Sequence, residues 1–154
     1  MTIEFEFAYP YDSITESDLE NFEKTHDIKL PNDYRRFLLK YNGGKNPTPE
    51  ALKAKVYGSN TLTELGIELF YGIKSVPNYA RLSPNALKRK GLGPDGFAMI
   101  ASIGKCPYLM SLRDKDYGRI YYWDSDFEFC LDDTNDKSVY LVAESFTDLI
   151  SKLY

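Results

Sequence analysis

The run Pro31-Asn32-Asp33-Tyr34-Arg35-Arg36-Phe37-Leu38-Leu39-Lys40-Tyr41, closed by Asn42-Gly43-Gly44, leaves the backbone few choices. Proline presets φ for the first helical position, and Asn32-Asp33 put polar and acidic groups in the first turn, where the helix dipole favours them. Tyr34, Phe37, Leu38 and Tyr41 then fall at i, i+3, i+4 and i+7, a single apolar stripe. Asn-Gly-Gly supplies a left-handed stop. The spacing predicts a helix over 31–41 with one face in a core.

Other elements follow from the same rules. Ile3, Phe5 and Phe7 alternate with Glu4 and Glu6, the pattern of a half-buried strand ended by Pro10. Residues 14–26 read as a first helix. Thr15 is its N-cap, Asp18 stands where a carboxylate can reach back, and Ile14 and Leu19 hold the hydrophobic-staple positions. The stretch 45–66 is rich in turn residues, with a short strand near Val56-Tyr57. Residues 67–73 read as a buried strand, and 77–90 as helical with Ser83 as cap and Pro84 at the first position. Strands are expected at 97–103, 107–113, 118–124 and 138–143, with a solvated loop at Asp132 to Asp136. Ser145 caps a last helix over 146–153, striped by Phe146, Leu149, Ile150 and Leu153. Helices first, then antiparallel strands, then a terminal helix give an α+β fold. The expected architecture is a single domain over 1–154: a mixed, largely antiparallel sheet with packed N-terminal helices and a C-terminal helix.

Bulk properties narrow the function. The net charge is −4, a poor match for nucleic acid, which needs clustered Lys and Arg, and a better one for a basic partner. The one basic run, Lys88-Arg89-Lys90, is short and ends a helical segment, where cations are favoured anyway. Cys106 and Cys130 form no CxxC and have no His beside them in sequence, so they read as two reduced, buried thiols. The first residues are acidic and alternating, unlike a signal peptide, and no apolar run nears the ~18 residues a membrane helix needs. A cytoplasmic location is expected, with no membrane and no direct nucleic-acid contact. The 13 tyrosines suit strands first and interfaces second.

The search for chemistry finds little. His26 is the single histidine and sits near the end of the first helix without a Ser or Cys motif around it. Gly91-Leu92-Gly93-Pro94-Asp95-Gly96 satisfies G-x-G-x-x-G. A strand follows it rather than a helix, so no helix N-terminus meets a pyrophosphate, and a loop is the plain reading. No catalytic residue, cofactor or metal site is assigned.

The acidic segment says more. From Asp114 to Asp136 there are eight acids against Lys115 and Arg119, a local −6 that leaves the remainder near +2. If the strand runs on past Trp123, Asp124, Asp126 and Glu128 share one face. Such a face suits a solvated edge, and beyond that a basic protein. A hard cation such as Ca²⁺ is a weaker alternative, since the EF-hand spacing is missing. Alternation places Tyr121 and Trp123 on the core side and Tyr122 with Asp124 on the other. Asp114, Asp116, Tyr122, Asp124, Asp126, Glu128, Asp132 and Asp133 are therefore the candidate partner-binding residues.

The block from Leu30 to Gly44 also resembles the signature of the SUKH superfamily: leucine-proline, an acid, tyrosine, phenylalanine-leucine, then asparagine-glycine-glycine. Phe70-Tyr71-Gly72-Ile73, Ile100-Ala101 with Gly104, Tyr121-Tyr122-Trp123-Asp124 and Ala143-Glu144-Ser145-Phe146 resemble its later landmarks in order, over about residues 14–153. Between two strands the family often has extra glycines where this chain has Lys105-Cys106-Pro107. The resemblance implies an α+β fold, no catalytic residues and action through protein contact. Bacterial members resemble immunity proteins that neutralise a cognate polymorphic toxin, often a nuclease. Fungal members act in cell-wall and signalling regulation. The expectation is an immunity protein for a basic toxin, with a general interaction or regulatory module as the alternative.

Overall fold

The computed structural model describes residues 4–48, 53–58, 61–131 and 138–153. Glu4 and Glu6 are exposed while Phe5 and Phe7 are half-buried, so the alternation holds, but these residues join no ladder. Phe5 instead packs edge-to-face against Phe37, Tyr41 and Phe70 with ring centroids 5.2–5.4 Å apart. Ile3 lies outside the described residues. The first strand, β1 (Tyr9–Pro10), contains the proline expected to end one, which is allowed because β1 is the sheet edge.

Helix α1 (Glu16–His26) starts on a complete capping box: the Asp18 N–H donates to Thr15 Oγ1 at 3.1 Å, and the Thr15 N–H donates to Asp18 Oδ2 at 2.9 Å. Helix α2 (Asn32–Tyr41) buries Tyr34, Phe37 and Leu38 and ends at Asn42 in the left-handed conformation (φ 52°). Gly43 follows at φ 81°, where a Cβ would lie 2.5 Å from the Phe70 carbonyl oxygen. Only glycine lets the chain pass so close to the neighbouring strand.

The remaining strands are β2 (Gly44–Lys45), β3 (Lys53–Gly58), β4 (Thr61–Gly66), β5 (Leu69–Phe70), β6 (Phe97–Ile103), β7 (Cys106–Ser111), β8 (Ile120–Trp123) and β9 (Val139–Ala143). Seven form one sheet in the order β1-β2-β5-β6-β7-β8-β9, and every adjacent pair is antiparallel. The parallel contribution is an isolated bridge, Gly72 to Arg81. β3 and β4 form a separate hairpin in which Gly58 faces Thr61, larger than the short strand expected near Val56-Tyr57. The strand expected over 67–73 is regular only at Leu69–Phe70, though Glu68 and Tyr71 also bond to β6, and Ile67, Tyr71 and Ile73 are buried around it.

Two further helices complete the fold. α3 is a single turn (Ala86–Arg89) with Asn85, not Ser83, at the N-cap position and no side-chain capping bond. The Ser83 carbonyl accepts the Met99 N–H at 3.2 Å, so a tertiary bridge occupies the position that local capping favours. α4 (Phe146–Lys152) is capped by Ser145, whose hydroxyl accepts the Asp148 N–H at 3.0 Å.

Strand alternation sends side chains to two cores. The larger gathers Leu19, Tyr34, Leu38, Phe70, Ile100, Tyr108, Ile120 and Phe146. The smaller holds Leu87, Phe97, Leu109, Tyr121, Trp123 and Val139. Tyr121 and Trp123 thus share a face, and Tyr122 packs on the other, half-buried with its ring 5.4 Å from Tyr108. Among the described residues no helix is long and apolar enough to cross a membrane.

Candidate functional site

The acidic segment divides into parts with different work. Asp114 is exposed at the start of the turn joining β7 to β8. Asp116, expected beside it on the partner-facing side, is only 7% exposed and points inward. It forms an ion pair with Arg113, takes the Ser111 hydroxyl, and accepts the Tyr121 hydroxyl at 2.7 Å. Burial pushes its pKa up. The Arg113 guanidinium and the two hydroxyls outweigh burial and hold it down to about 2. Asp116 closes the β7–β8 connection, and its carboxylate is used up inside the fold.

The strand does not continue past Trp123, so Asp124, Asp126 and Glu128 do not share a pleated face. The chain turns instead. The Phe127 N–H donates to the Asp124 carbonyl at 3.1 Å, and the Asp126 N–H donates to Asp124 Oδ1 at 3.3 Å. Asp126 pairs with Lys105, and Glu128 is exposed. Among the described residues no group of three His, Cys, Asp or Glu is placed to hold a metal ion. Asp132 and Asp133, with the loop expected at Asp132 to Asp136, lie outside the described residues. The two thiols are free, and each is half-buried rather than buried.

What the turn presents is an aromatic. Trp123 donates its indole N–H to the Phe127 carbonyl at 3.1 Å. Ser138 braces the far side, giving its hydroxyl hydrogen to the Glu128 carbonyl at 2.5 Å and accepting the Cys130 N–H at 3.0 Å. Phe129 packs inward on Trp123 and Phe97, at 5.7 and 5.6 Å. With its backbone held on both sides, Phe127 stands 65% exposed among carboxylates. Between this turn and α3 lies a cleft of about 770 Å³, floored by Met99, Pro107 and Trp123, with half-exposed Leu92 on the opposite rim. The charges lining the cleft balance, Lys90 and Lys105 against Asp126 and Glu128, while the exposed Phe127 and Leu92 supply apolar contact area.

Leu92 and Phe127 were not legible as site residues. A leucine between Gly91 and Gly93 in a loop has no element to bury it, which is the signal that was there to read. The G-x-G-x-x-G loop runs from α3 into β6, as its context predicts. His26 is exposed on α1 with its ring 4.5 Å from Phe22.

The profile of the SMI1 / KNR4 family (SUKH-1) matches residues 13–152, almost the whole chain. The chain belongs to the SMI1/KNR4 family. A stretch of 43 residues is also 37% identical to "Uncharacterized protein YobM" of Bacillus subtilis (strain 168). That stretch is 28% of this chain and 23% of the relative's length.

In this SMI1/KNR4 chain the Leu30–Gly44 block builds the fold. Leu30 and Tyr34 are fully buried. Asp33 Oδ2 accepts the Thr147 N–H at 2.8 Å and the Thr147 hydroxyl at 2.9 Å, tying α2 to α4. Asn42 is completely buried and donates to the Ile73 carbonyl at 2.7 Å. A Cβ on Gly72 would sit 2.1 Å from the Asn42 carbonyl oxygen, so Gly72 lets the two segments close.

Proposed function

We propose that the protein is an immunity protein that binds a cognate polymorphic toxin and neutralises it by contact rather than by catalysis. The observation that carries this is Phe127, a large exposed aromatic on a braced turn between Asp124, Asp126 and Glu128. Family membership supports it, since bacterial SUKH proteins resemble immunity proteins. A rigid aromatic loses little freedom on binding and suits the centre of an interface. The carboxylates around it favour a basic partner and speed encounter. A nuclease fits that description, because its active face must meet phosphates. Asp124, Asp126 and Glu128 form the proposed acidic contact set around Phe127, with Tyr122 on the neighbouring strand; Asp114 stands at the opposite end of β8, and Asp132 and Asp133 lie outside the described residues.

The test is co-expression with the toxin-like product of the neighbouring gene, scored by growth and by recovery of a complex. Rescue with a stable complex supports immunity. Growth arrest with no complex overturns it and favours a regulatory interaction module.

A further inference from the structure

On the other side of α3 lies a second cleft, of about 640 Å³, lined by cations and no carboxylate. Its walls come from the 71–86 segment, the C-terminal half of α1 and the end of α3. Arg81, Arg89 and Lys90 reach its rim, and all three are exposed. None of the three carries an ion pair with the described residues. The cations beside them do: Lys74 pairs with Asp18 at 2.9 Å and Lys88 with Asp95 at 3.6 Å. Tyr79 stands 67% exposed on the same rim.

The walls are built rather than loose. The Asn42 amide holds the Ile73 carbonyl at 2.7 Å, and two left-handed residues follow, Lys74 (φ 55°) and Ser75 (φ 58°). The Gly72 N–H donates to the Ala80 carbonyl at 2.9 Å, and the Leu82 N–H donates to the Gly72 carbonyl at 2.8 Å, which fixes the backbone that carries Arg81. Three like charges around one concavity repel each other, and an anionic occupant relieves that repulsion.

We infer that this cleft is a second binding site, which takes an acidic peptide segment of the protein partner. Arginine forks match carboxylates in bidentate geometry, and Tyr79 offers a face for an intervening apolar side chain. Nucleic acid fits worse. A phosphate chain needs many neutralising contacts. The two clefts also meet at Lys90 and Met99, so a strand leaving this one runs toward Asp126 and Glu128. A protein can change sign along its surface and satisfy both. The inference rests on the proposal that the chain grips a protein partner, and it gives that partner an acidic segment beside its basic face.

The probe is a fluorescein-labelled oligo-glutamate peptide titrated by fluorescence anisotropy, with oligothymidylate of equal charge as the comparison. Saturable binding to the peptide is expected. It should weaken at least about tenfold in Arg81→Glu/Arg89→Glu and be unchanged or tighter in Asp126→Lys. Amide shifts in an NMR titration should concentrate in residues 72–90. No saturation, equal binding by the Arg variants, or tighter binding of oligothymidylate overturns the inference. Arg89→Glu alone decides if the double variant does not fold. Growth rescue by the toxin pair reads the functional proposal separately. Rescue without peptide binding sinks this inference alone, and peptide binding without rescue sinks only the immunity reading.

Discussion

The side-chain amide of Asn42 and the backbone of Ile73 bond in both directions. The Ile73 N–H donates to Asn42 Oδ1 at 2.8 Å, and Asn42 Nδ2 donates to the Ile73 carbonyl at 2.7 Å. The same Nδ2 also reaches the Asp12 carbonyl at 3.0 Å. One buried side chain thus joins the end of α2, the chain before α1 and the segment after β5.

Asn42→Ala strands the Ile73 N–H in the core and is predicted to cost about 2–4 kcal/mol in urea unfolding. Asn42→Gly loses the same bonds but adopts φ 52° without strain, so it should be the milder variant by about 1 kcal/mol. Equal midpoints for both variants and the wild type would refute this role.

Asp116 makes stability depend on acid. Its folded pKa, about 2, lies below the unfolded value near ~3.9, so its contribution is complete above that value and disappears as pH falls toward 2. The gap in unfolding free energy between wild type and Asp116→Asn should be on the order of 1–2 kcal/mol at neutral pH and shrink across that window. A gap independent of pH would mean that the charge on Asp116 contributes nothing.

Where local chemistry is strong, the sequence carries the fold. Thr15 and Asp18 form both arms of the capping box, and the Tyr34–Phe37–Leu38 stripe is buried as its spacing requires. The 53–66 hairpin was hard to see because Lys53, Lys55, Thr61, Thr63 and Glu64 give it little apolar periodicity. Ser83 lost its capping role to a bridge from Met99, sixteen residues later in the chain and invisible to local rules. The site was half legible. The acidity of the segment was plain, but the direction of each side chain depended on assuming a strand beyond Trp123. A turn there changes the parity, sends Phe127 outward and leaves Asp124 accepting its own turn's N–H. Asp116 lies at a strand junction, where Arg113 and Tyr121 capture it, and composition cannot show that.

Phe127 should separate stability from binding. Phe127→Ala removes an exposed ring and is predicted to shift unfolding by less than about 0.5 kcal/mol while weakening toxin binding by at least tenfold, about 1.4 kcal/mol or more. Trp123→Phe keeps an aromatic in the smaller core but loses the bond to the Phe127 carbonyl. It should cost about 1–3 kcal/mol and loosen the turn as well, seen as faster amide exchange at residues 124–129.

The most direct test of the central claim is growth of cells producing the toxin together with either the wild-type protein or Asp126→Lys/Glu128→Lys, the two chains made to equal levels. Wild type is predicted to restore growth and to copurify with the toxin, while the charge-reversed protein, equally folded, gives neither. Full rescue by the charge-reversed protein would contradict the claim that this acidic, Phe127-centred face holds the toxin.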